Sequence, residues 1–155
     1  MHTRSKARNP RGMAALRTGA CVVTYEYWML KEGLRWLASL KRAIPPPNQA
    51  LVNAAIEVTL IHARNLLDFF STRGRQDDVK MRDYLTRPPQ IALPYLRENR
   101  RRINRKLAHP SCSSSRMSSS WAFGAIEAEI DTAIRRFLER LARDEPQLRK
   151  QFRIP

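Results

Sequence analysis

Apolar residues recur along most of this chain at steps of three and four, the period of one face of an α-helix. From about Val22 to Ala43 the repeat runs through Tyr27, Leu30, Leu34, Leu37 and Ala38, and Pro45, Pro46 and Pro47 then end it. A second repeat follows Asn48, whose side chain suits an N-cap, and passes through Val52, Ile56, Leu60, Ala63, Leu67 and Phe70. The polar stretch around Gly74 breaks it, and the proline-punctuated segment up to Pro94 leaves room for one or two helical turns. A third helix is predicted from Tyr95 to His109, ending there because Pro110 disfavours the α region in the residue before it. Ser120 is positioned to cap a fourth, whose stripe is Ile126, Ile130, Ala133, Phe137 and Leu141 and which stops before Pro146. In that helix Asp131 with Arg135, and Glu139 with Arg143, fall at i,i+4 pair spacing.

No period-two alternation of a half-buried strand is sustained and no repeat is visible, so the expected fold is all-α, an antiparallel bundle of about four helices. The chain of 155 residues is the size of one domain. Residues 1–18 read as a basic, disordered arm, 19–145 as the single helical domain and 146–155 as a C-terminal tail. The serine-rich tract from Ser111 to Ser120 reads as a flexible connection.

Composition changes this picture chiefly through charge. A net charge of +15 repels itself unless a polyanion is near, which points to nucleic acid or an anionic membrane surface; the plainer explanation is a basic protein with an arginine-rich composition and no specific anionic ligand. The first helix lacks a membrane-surface arrangement of its Trp and Lys residues, and Glu26, Lys31 and Glu32 interrupt the first apolar segment, so no membrane partner is expected. Arg17, Thr18 and Gly19 break the candidate core of a secretory signal, while the early absence of acids leaves an organellar transit peptide open. Cys21 and Cys112 stand far apart, without zinc or disulfide spacing, which fits a reducing cytoplasm.

The chemistry concentrates in "RRRINRKLAHPSCSSSR", Arg100 to Arg116. With Leu96, Ile103 and Leu107 turned inward, Glu98, Arg102, Arg105 and His109 fall on one flank of the third helix. Arg102 and His109 differ by only about 20° in azimuth, close enough for one phosphodiester to touch both. A structural role for His109 is also open, as a helix C-terminal ring that satisfies the last carbonyls. Arg97, Arg100, Arg101, Arg105, Lys106 and Arg116 are the candidate nucleic-acid contacts, or else a solvated charge run. On the second helix Glu57, Arg64 and Asp68 align as a salt-bridge ladder, with His62 about 120° from Asp68 and read as a packed or partly exposed helix residue.

An arginine, a spacer of four to six residues and a histidine near a helix end resemble the motif of HEPN domains, and here Arg102, a six-residue spacer and His109 fit it. The position after the arginine is commonly polar in that family; this chain has Ile103 there. The resemblance implies an all-α bundle and a metal-independent endoribonuclease of toxin or defence type. It implies His109 as the acid/base and Arg102 as the group on the scissile phosphate. A homodimer and an antitoxin or other protein partner are implied in the same way. The segments "HARNLLDFF" and "INRKLAHPS" together also resemble a group of small bacterial helical proteins without a known activity. The alternative from a different class is a non-catalytic basic helical module that binds nucleic acid or a protein. No phosphate-cradling glycine motif, no H-E-x-x-H and no metal-ligand set is present, so neither cofactor nor metal is expected.

Overall fold

A computed structural model describes residues 11–71, 78–108 and 121–155. Among them there are six helices and no strand: α1 (Met13–Lys41), α2 (Gln49–Phe70), α3 (Met81–Tyr84), α4 (Pro94–Ala108), α5 (Phe123–Asp144) and α6 (Pro146–Arg149). The all-α class is as expected, with four long helices and two of a single turn. No helix among the described residues is long and apolar enough to cross a membrane.

The first helix starts at Met13, inside the segment read as a basic arm and nine residues before the expected start at Val22. Leu16, Ala20 and Val23 carry its buried stripe back toward the N-terminus, and it is their burial that extends the helix. Asn48 caps α2 as expected, its side-chain oxygen accepting from the Ala50 N–H at 2.8 Å. The two helices run in opposite directions, since Glu26 meets His62 and Asn65 while Gly33 meets Thr59. Gly33 permits this approach: a Cβ there would lie 2.5 Å from Thr59 Oγ1 and 3.3 Å from Thr59 Cα.

The N-terminus of α4 is capped from another helix. Glu129 of α5 accepts from the N–H groups of Tyr95 at 2.7 Å and Leu96 at 3.1 Å, placing a carboxylate at the positive end of the helix dipole. The cap of α5 differs from expectation, because Ala122 occupies that position and Ser120 lies outside the described residues. The expected stripe of α5 is buried throughout.

The segment read as a tail is part of the core. Leu148, Phe152 and Ile154 are buried, and the Arg149 guanidinium donates to the carbonyls of Phe152 and Ile154. Phe152 completes an edge-to-face cluster with Tyr84 and Phe137, each 5.2 Å away between ring centroids. The Tyr84 hydroxyl donates to the Leu16 carbonyl at 2.7 Å, and burial pushes its pKa well above the ordinary phenol range.

Candidate nucleic-acid interface

Apart from Arg102, the cations of α4 divide into two sets according to what the inward turn of Leu96 and Ile103 does with the residues beside them. Arg100 and Lys106 flank the buried stripe and face α2. Arg100 donates to Asp68 at 2.7 Å, and Lys106 lies 3.9 Å from Glu57. The carboxylates of the expected ladder on α2 therefore reach across to α4, while Arg64 donates to the neighbouring Asn65 side chain at 3.3 Å. Asp131 also departs from its expected pairing with Arg135, and binds Lys31 and the Tyr27 hydroxyl of α1 instead. Among the described residues Glu139 and Arg143 form no ion pair, while Arg140 between them pairs with Asp144 at 2.6 Å.

Arg97, Arg101 and Arg105 form the second set. They stand one helical turn apart on the outward side of α4, all three exposed, and none pairs with a carboxylate among the described residues. Arg97 gives one N–H to the Ile91 carbonyl at 3.2 Å. Steps of four residues place successive Cα atoms about 6 Å apart along the axis, so the guanidinium groups make a continuous cationic ridge.

Arg102 is half-buried, with its guanidinium carbon 4.0 Å from the ring centroid of Trp121. That stacking covers one face of its guanidinium, whereas Glu98 and Arg105, expected on the same flank, are exposed. Trp121 also lines an apolar cavity of about 680 Å³, shared with Leu37, Leu40, Val52 and Phe123 and edged by Lys41 and Gln49. His109 and Arg116 lie outside the described residues.

One polar pair was not legible as a pair in the sequence. His62 Nδ1 lies 2.6 Å from Glu26 Oε2, which also accepts from Asn65 Nδ2 at 3.0 Å; both members are largely buried between α1 and α2. The Tyr25 ring meets His62 edge-on at 5.7 Å. The packed role expected of His62 fits this setting, but nothing in spacing alone assigns Glu26 to it across two helices. Arg102 and Trp121 escaped notice together for the same reason.

No family model matches this chain, and neither does any curated protein or solved structure.

Proposed function

We propose that this protein is a basic helical RNA-binding protein of a reducing cytoplasm, and that it grips the RNA backbone through Arg97, Arg101 and Arg105. The observation that carries this reading is the row of exposed guanidinium groups without carboxylate partners among the described residues, on a chain of net charge +15. Such a row offers planar, charge-assisted donors to successive phosphates. Arg100 and Lys106, engaged by Asp68 and Glu57, serve the packing of α4 on α2. Single-stranded RNA is the preferred form, because half-buried Phe123 lines the cavity beside Trp121 and offers aromatic surface on which an unpaired base stacks.

The HEPN-like endoribonuclease is the catalytic version of the same proposal. In it His109 moves the proton of the 2′-hydroxyl or the leaving oxygen, and Arg102, held by Trp121, holds the scissile phosphate.

The test is fluorescence anisotropy with a labelled single-stranded RNA. The double charge reversal Arg101→Glu with Arg105→Glu is expected to weaken binding at least about tenfold. An equal reversal at Arg136 and Arg143, exposed on α5, is expected to weaken it much less. Equal losses from both would leave only net charge and remove the ridge. Incubating the same RNA with chelator separates the two versions. Cleavage abolished by His109→Ala supports the nuclease, since loss of a proton shuttle costs about 10²–10⁴-fold in rate. Binding without cleavage leaves the non-catalytic module.

A further inference from the structure

Eight large apolar side chains are exposed among the described residues, and five of them share one face. On α1, Val22, Tyr25, Met29 and Trp36 follow one another at steps of three, four and seven; on α2, Leu51, Ala54, Val58 and Ile61 do so at three, four and three. These are the seam positions of a helix that packs against another helix. Here no helix among the described residues covers them: Val22, Tyr25, Trp36, Leu51 and Ile61 are between 37% and 56% exposed. The two stripes lie side by side, because each borders the line along which Glu26 meets His62 and Gly33 meets Thr59, and the Tyr25–His62 ring contact joins them.

Three observations select the occupant. The chain has 29 Lys and Arg against 14 Asp and Glu, yet neither stripe contains a cation, and Glu32, the ionised side chain within the α1 stripe, is held by Arg35. RNA or an acidic protein would seek the basic surfaces, whereas copies that repel one another elsewhere can meet on a face whose stripes hold no cation. Bulky Tyr25 and Trp36 on α1 and the smaller Ala54 and Val58 on α2 allow a two-fold axis to lay each stripe on the partner's other stripe. The exposed apolar area of the five side chains is roughly 500 Å². With Met29, Val58 and a polar rim it comes near the roughly 800 Å² per partner of a stable interface.

We propose that this face is the interface of a two-fold homodimer, built from the α1 and α2 stripes of each copy. None of its residues belongs to the α4 ridge, and the proposal stands independently of the RNA reading.

Sedimentation equilibrium of the full chain across micromolar concentrations tests it. The wild type is expected to dimerise. Trp36→Glu and Ile61→Lys are each expected to weaken the dimer about 30-fold or more, as loss of a central anchor does. Both positions are exposed, and far-ultraviolet circular dichroism checks that the helices are retained. A wild type that stays monomeric overturns the proposal. So does a dimer whose affinity neither substitution changes, or a monomer that uses this face to bind anionic vesicles.

Discussion

At the scale of single residues, the pair between Glu26 and His62 and the buried hydroxyl of Tyr84 show how polar groups are accommodated in this core. Glu26→Ala takes the acceptor from His62 and from Asn65 in a largely buried setting. Urea unfolding is expected to show a loss of about 2 kcal/mol, from stranded donors and lost packing. Glu26→Gln, which keeps the shape and an acceptor, is expected to lose less. Tyr84 makes a prediction in pH. Its pKa is raised in the fold by burial first and by Asp83 second, so the folded chain holds this proton at pH values where the unfolded chain has released it. The stabilisation is complete below the ordinary phenol value of 10.0 and is lost as pH rises from there toward the folded value. Stability is therefore expected to fall with pH above about 10, with Tyr27 acting in the same direction through its own burial and Asp131. Tyr84→Phe should cost about 1 kcal/mol at neutral pH through the lost bond to Leu16, and should flatten part of the alkaline decline. A decline of unchanged steepness would show that Tyr84 does not contribute to it.

Among the elements, α1 and α2 approach closely at Gly33. Alanine at a helical glycine ordinarily gains up to about 1 kcal/mol in propensity. Here the added carbon would meet Thr59 at 2.5 Å, a fully buried, β-branched side chain whose hydroxyl already donates to Ala55. Gly33→Ala is expected to cost a net 1–3 kcal/mol or so, read as a lower urea midpoint with an unchanged slope. Much at this scale was legible beforehand. The stripes of α2 and α5, the Asn48 cap and the proline stop of α1 all act within a few residues, and periodicity reports such local effects well. What escaped depends on distant partners. The early start of α1, where Tyr84 bonds the Leu16 carbonyl, and the burial of Leu148, Phe152 and Ile154, with Phe152 on Tyr84 and Phe137, depend on tertiary packing that no local pattern announces. The Asp131–Arg135 pair expected on α5 failed likewise, because Lys31 of α1 stands where Asp131 can reach it.

For the whole molecule, charge is the property most readily read from sequence and the least specific about place. The run from Arg97 to Lys106 was visible as a basic helix, but not its division into arginines that face solvent and cations that tie α4 to α2. That division depends on Glu57 and Asp68, which lie on another helix. The stacking of Arg102 on Trp121 likewise needs two segments brought together, and His109 lies outside the described residues. The central claim is that the α4 ridge, and not charge in general, holds RNA phosphates. Its most direct test is the salt dependence of RNA affinity for the wild type and for a variant with Arg97, Arg101 and Arg105 all changed to alanine. Each phosphate contact on a single strand contributes a slope of about −0.7 to the logarithm of affinity against the logarithm of salt concentration. The expected result is a wild-type slope that becomes shallower by about 2 in the variant. An unchanged slope, with affinity falling in parallel at every salt concentration, would contradict it.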